Sequence, residues 1–322
     1  MLDHPRIVAR GLVRTRSGLL WQERRFAPAV RRDAADVVFS PAYTCPLLLA
    51  RPRVTTVHDL SFFAVPEDFT VRESLRRRLL VAASMRASSA ILAVSDFTRR
   101  EIARWFPDLA SRVIHVPHGA DDDLPPPPAR DEARRRLGVN GPLLLTVGAI
   151  FNRRCLPVLL RAVSRLVRRH PDLVLEVVGQ NRTVPRLDLP RALRALGLER
   201  HVRLAGFVSD EGLADRYAAA DAAVFLSEYE GFGLPVVEAM ARGVPVVASI
   251  RPALGEIFGE AALGVEPRDE PGVEAALERV LTEPTLRADL AARGRALAAG
   301  FSWEDTARRT REVLYAAARG GR

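Results

Sequence analysis

The chain contains no lysine, so all 48 of its basic side chains are arginine. That absence excludes a Schiff-base lysine, a P-loop lysine and a kinase-type lysine. Cysteine is nearly missing too. Cys45 and Cys155 stand far apart, which argues against a disulfide framework or a zinc site and for a reducing compartment. No run approaches the roughly 18 consecutive apolar residues that span a bilayer. The N-terminal stretch MLDHPRIVARGLV lacks the apolar core and small-residue cleavage site of a signal peptide. Aromatic residues make up only 6%. With the arginines dispersed and no recognition motif in view, nucleic-acid binding is a distant reading. These absences lead to the expectation of a soluble, cytoplasmic protein.

The composition that remains is globular, with 48% hydrophobic and 27% charged residues over 322 positions. That length favours two domains over one core. The all-arginine bias is what a GC-rich coding sequence produces, and the net charge of +9 follows from it. Runs such as Arg76-Arg77-Arg78, Arg134-Arg135-Arg136 and Arg168-Arg169 read as solvated helix faces. The sharper alternative is a basic surface that attracts anionic lipid or an anionic acceptor.

Strand and helix patterns alternate along the second half. Strand candidates are Leu143–Val147, Leu173–Val178, Val202–Ala205, Ala222–Leu226, Val244–Ala248 and Leu263–Val265, each followed by a helical pattern. Leu156, Leu159, Leu160, Val163, Leu166 and Val167 share one helix face. Further helices are expected near 191–198, after the cap Ser209 and after the cap Ser302. The first half offers strands at Asp36–Phe39, Val54–Val57, Ala90–Val94 and Val113–Val116, with helices near 72–88 and 96–105. The implied class is α/β, with parallel sheets covered by helices on both faces. The division reads as a first domain at 1–120, a proline-rich linker at 121–140, a second domain at 141–300 and a terminal helix at 301–322 that crosses back to the first domain.

One stretch carries chemistry: Ser227-Glu-Tyr-Glu-Gly-Phe-Gly-Leu-Pro-Val-Val-Glu-Ala-Met240. It leaves the C-terminal end of a buried strand, where open α/β sheets bind ligands. Gly231 and Gly233 admit close backbone approach, and Pro235 suits a first helical turn. Free amides and the dipole of that turn make an anion site. Glu230 and Glu238 flank it, seven residues apart.

This pattern resembles the signature of the retaining GT-B glycosyltransferases of the group 1, family 4 type, which include bacterial mannosyl- and rhamnosyltransferases. The likeness runs from about Asp36 to the C-terminus. It implies two facing Rossmann-like domains, with a sugar role for Glu230 and a ribose role for Glu238. Donor contacts would come from Phe232, Gly233 and Leu234. Val147-Gly-Ala-Ile-Phe-Asn-Arg-Arg154 resembles the family loop that neutralises the donor diphosphate. Gly148 begins that loop, Arg153 takes its arginine position and Arg154 its lysine position. Cys155 stands where the family commonly has asparagine. Thr56-Val-His-Asp-Leu-Ser-Phe-Phe63 resembles the first-domain loop of polysaccharide mannosyltransferases, which sets His58 facing the sugar. Gly206-Phe-Val208 resembles the loop beside the nucleobase. Glu256 matches a family glutamate without an assigned role.

The resemblance therefore implies transfer from a nucleotide-diphosphate sugar, of mannose or rhamnose type, with His58, Arg154 and Glu230 at the reaction. The acceptor would be a polysaccharide or a lipid-linked sugar, with contact to the inner membrane face. No metal or other cofactor is expected, because Asp121-Asp122-Asp123 precedes four prolines and reads as linker. The family's opening strand and glycine-rich turn find no match in 1–32, so the first domain is expected to be incomplete. Two rivals remain: a non-catalytic nucleotide-sugar-binding homologue or subunit, and a sugar-nucleotide epimerase.

Overall fold

The computed structural model describes residues 21–120 and 125–320. The residues 1–20, on which most of the expected N-terminal incompleteness falls, lie outside this range, as do Asp121, Asp122 and Asp123. Within it, Gln22–Phe26 and Ala27–Arg32 are helical.

Two parallel sheets organise the chain. The first has the order β1 (Val38–Ser40), β2 (Arg53–Val57), β3 (Ala90–Ala93) and β4 (Val113–His115). The second contains β5 (Leu143–Val147), β6 (Val174–Val178), β7 (Val202–Gly206), β8 (Ala222–Phe225), β9 (Val246–Ser249) and β10 (Leu263–Val265). Its order is β10-β9-β8-β5-β6-β7. Leu143, Leu144 and Leu145 are successive residues on opposite faces of β5, and all are fully buried. Such unbroken apolar runs belong to strands covered on both sides.

The longer helices are α1 (Val71–Ala87), α2 (Asp96–Trp105), α3 (Arg130–Leu137), α4 (Leu156–Leu166), α5 (Leu189–Leu196), α6 (Asp210–Ala219), α7 (Leu234–Ala241), α8 (Glu270–Thr282), α9 (Pro284–Ala298) and α10 (Trp303–Gly320). α4 buries the predicted row Leu156, Leu159, Leu160, Val163 and Leu166. On its other side Arg165 and Arg169 pair with Glu270, Glu274 and Glu278 of α8. Of the run 168–169, Arg169 in the turn after α4 thus joins an ion-pair ladder onto α8, whereas Arg168 has no ion-pair partner among the described residues.

The linker expected at 121–140 is corrected by α3. Asp131 and Glu132 occupy the first turn of that helix, and Gly138 ends it in the left-handed conformation. Its Arg130 and Arg134 bond Asp221 and the carbonyls ending α6. The prolines break the chain only up to Pro128. The terminal helix α10 does return to the first sheet, where Val313 packs with Val54, Ala90, Leu92 and Val116.

Candidate functional site

The strand order creates the site. From β5 the chain winds outward through β6 and β7, then returns to place β8 on the other side of β5. The crevice beyond the carboxyl ends of β5 and β8 is therefore the topological switch point, where open α/β sheets take ligands. The loop after β5 brings Gly148, Arg153 and Arg154. The loop after β8 brings Glu230, Phe232 and Gly233.

Gly233 begins α7 with φ +97°, a conformation that a side chain would strain. Pro235 sits in the first turn and offers no N–H, and the Val236 N–H bonds the Gly233 carbonyl at 2.9 Å. The Leu234 amide is left without a backbone partner among the described residues. Gly231 has a steric role. A Cβ there would lie 1.6 Å from the His58 carbonyl oxygen, so the loop after β8 passes this close to the first domain at position 231 only because glycine has no side chain.

Glu230 is buried and accepts a 2.7 Å hydrogen bond from Ser227 Oγ. Arg154 Nε lies 2.7 Å from Glu230 Oε1 at an angle too bent for a hydrogen bond, while Nη2 donates to Oε2 at 3.4 Å. The Arg154 guanidinium also covers the Phe225 ring at 4.0 Å. Burial lowers the pKa of Arg154, with Glu230 opposing it. Arg154 and Glu230 thus form one partly buried ion pair at the mouth of the switch point.

Arg153, which the resemblance sets on the diphosphate, is engaged within the protein. Its Nη1 bonds Asp68 of the first domain at 2.9 Å and its Nε donates to the Tyr229 carbonyl at 3.1 Å. Its guanidinium stacks over Phe151. Burial works against its charge, but Glu230, Asp59 and Asp68 outweigh it and raise the pKa. Cys155 explains the family's asparagine. Its φ of +47° and ψ of 32° are left-handed, a region that asparagine tolerates better than other side chains.

His58 stands at the carboxyl end of β2, as expected, but both ring nitrogens are engaged. Nε2 lies 2.8 Å from the Pro41 carbonyl, which requires it to carry the proton. Nδ1 lies 3.0 Å from His118 Nε2, and one proton is shared between them. Burial and the neighbouring His58 push the His118 pKa down to about 4, so His118 is uncharged near neutral pH. The His118 ring meets Phe232 edge-on and Trp303 at a tilt, which ties the signature loop to the start of α10.

Glu238, one turn into α7, accepts from the Tyr217 hydroxyl at 2.9 Å. Burial, then Glu238, raises the Tyr217 pKa. Val208 is half-buried beside Phe207, whose ring is 87% exposed. Asp68, Tyr217 and His118 were not singled out from sequence. Asp68 and Tyr217 carry no local motif, while His118 follows a strand within Val116-Pro-His-Gly, a signal of the same kind that marked His58.

Two family models cover this geometry: one for glycosyltransferase family 4 matches residues 2–124, and one for glycosyl transferases group 1 matches residues 129–297. The chain belongs to the group 1 glycosyl transferases. The likeness thus begins well before Asp36, the start expected from motifs alone. This glycosyltransferase is 34% identical over 300 residues to O-antigen chain mannosyltransferase B of Escherichia coli, covering 90% of this chain and 77% of that protein. It is 32% identical over 326 residues to glycogen synthase of Mycobacterium tuberculosis, covering 98% and 76%. Among solved structures, sucrose-phosphate synthase from Thermosynechococcus elongatus superposes with a TM-score of 0.76 at 24% identity, over 95% of this chain and 81% of that one. Anabaena HepE in complex with UDP and glucose gives 0.73 at 22%, over 92% and 83%. The group 1 glycosyltransferase therefore has the GT-B fold.

Proposed function

We propose that this glycosyltransferase moves a sugar of mannose or rhamnose type from a nucleotide-diphosphate donor to an acceptor hydroxyl, with retention and without a metal. The Arg154–Glu230 pair at the switch point carries the reading. A diphosphate leaving group needs fixed positive charge in a water-poor site. Arg154 and the Leu234 amide supply it, and neither must reorganise from solvent. Glu230 orients the sugar and in the resting state holds Arg154 in place. Glu238, set by Tyr217, receives the ribose. The mannose preference leans on the Escherichia coli relative, and retention on the motif resemblance.

The acceptor is read as a growing polysaccharide or a lipid-linked sugar. A surface suited to the inner membrane face lies on α1. Val71, Leu75 and Leu79 are 85%, 56% and 62% exposed along one side of it, beside Arg72 and Arg76, which have no ion-pair partner among the described residues. Among those residues, no helix is long and apolar enough to cross a bilayer.

A second reading has two observations in its favour. With Arg153 held by Asp68 and both His58 nitrogens occupied, the chain could bind nucleotide without transferring sugar. The deciding experiment is thermal unfolding with UDP, GDP, ADP and dTDP, followed by transfer assays with the matching sugar donor. A ligand at 100 times its Kd adds about 2.7 kcal/mol. A shift with one nucleotide plus a product of retained anomeric configuration, formed in EDTA, supports the proposal. A shift with neither transfer nor donor hydrolysis supports the binding reading. No shift at all removes the donor site.

A further inference from the structure

Glu256, to which the family resemblance attaches no role, stands outside the proposed donor site. It lies on a short helix, Leu254–Phe258, whose Leu254 and Phe258 side chains pack on Gly233 at the start of α7. Its carboxylate leaves that domain and reaches α2 of the other. Oε1 accepts the Phe97 backbone N–H at 3.1 Å, and Oε2 pairs with Arg100. The first-turn amides of a helix have no partner within it. In α2 the Thr98 amide is capped by Ser95 from its own domain, whereas the Phe97 amide is capped by Glu256 from the other.

The same turn is where the two domains are aligned. The Thr98 hydroxyl lies 3.3 Å from the His58 carbonyl and 3.4 Å from the Gly231 carbonyl, within donating reach of either. The Phe97 ring meets Tyr229 edge-on at 5.3 Å. One helical turn thus touches the His58 loop, the Glu230 loop and Glu256.

We infer that Glu256 is a positioning residue for domain closure: by capping α2 from the donor domain, it sets the His58 loop in register with the Glu230 loop. A negative charge at this helix end also suits the dipole. The kinetic part of this inference rests on the glycosyl-transfer reading. The geometric part does not.

The test compares Glu256→Ala, Glu256→Gln and the parent chain in three measurements: Kd for the nucleoside diphosphate, turnover, and radius of gyration by small-angle scattering. Glu256→Ala removes the cap. It should lower turnover about tenfold or more by misaligning the halves, enlarge the radius of gyration and leave nucleotide Kd unchanged. Glu256→Gln still offers an oxygen to the Phe97 amide and should restore both turnover to within about threefold and the parent's dimensions. Parent-like dimensions and turnover in Glu256→Ala would overturn the inference. So would a loss of nucleotide affinity matching the loss of turnover, which would place Glu256 inside the donor site. If the parent chain binds nucleotide yet transfers nothing, the transfer reading fails, and the scattering comparison still decides the role of Glu256.

Discussion

Arg153 of the second domain and Asp68 of the first meet at 2.9 Å, with side chains only 7% and 2% exposed. The residue that the resemblance assigns to the donor diphosphate thus pairs across the two domains. A pair so deeply buried is sensitive to losing one member, because the survivor keeps its desolvation cost. Arg153→Ala and Asp68→Ala should each destabilise by about 3–5 kcal/mol in denaturant unfolding. The double variant should cost less than the sum of the singles. Additive losses would show that the two side chains do not interact.

The donor contacts separate by kinetics. Arg154→Ala should lower turnover by roughly 10²–10³-fold, the effect of removing one charge-stabilising donor. Glu238→Ala should mainly weaken donor binding. Tyr217→Phe removes only the hydroxyl that holds Glu238 and should weaken donor binding by about 1 kcal/mol or less. An unchanged rate in the Arg154 variant removes that residue from the mechanism.

Cys155 combines a left-handed backbone with a buried thiol, which burial and Glu228 push up to about 12. Cys155→Asn should raise stability by up to about 1 kcal/mol in thermal unfolding. In the folded parent chain the thiol should resist iodoacetamide at pH 8, since little thiolate is present. Rapid alkylation of Cys155 without unfolding contradicts that environment.

His118 gives a pH signature. Its folded pKa of about 4 lies below its ordinary value near 6.5. The unfolded chain therefore takes up a proton first as pH falls. The contribution of His118 is complete above pH 6.5 and is lost as pH drops toward 4. Denaturant titrations should show stability declining across that window by an amount on the order of 2–3 kcal/mol. The decline should flatten in His118→Asn. An equal slope in the variant would assign the effect to other groups.

Much of this architecture was legible in one dimension. The strand candidates fall within a few residues of β1 to β10, because short β-branched and apolar runs between helical patterns mark parallel strands, and in β5, β6 and β7 a glycine marks the end. α4 was readable from its leucine spacing, and the start of α7 from Gly233 and Pro235. Where the reading failed, long-range pairing was responsible. α3 lay hidden behind the prolines because its sequence is mostly charged. Only its packing against α6 and its bonds to Asp221 give that charge a place.

The sequence by itself determined the residue types at the site: an acidic pair spaced across a helix start, two adjacent arginines after a strand, and a histidine at another strand end. Local spacing suffices for these because each belongs to a single loop. The tertiary structure alone decided what they face. Arg153 and Arg154 are neighbours, yet one turns to Asp68 across the domain interface and the other to Glu230 at the switch point. The strand order that sets β5 beside β8, and the closure that sets Gly231 against His58, depend on contacts between residues far apart in the chain, which no local pattern encodes.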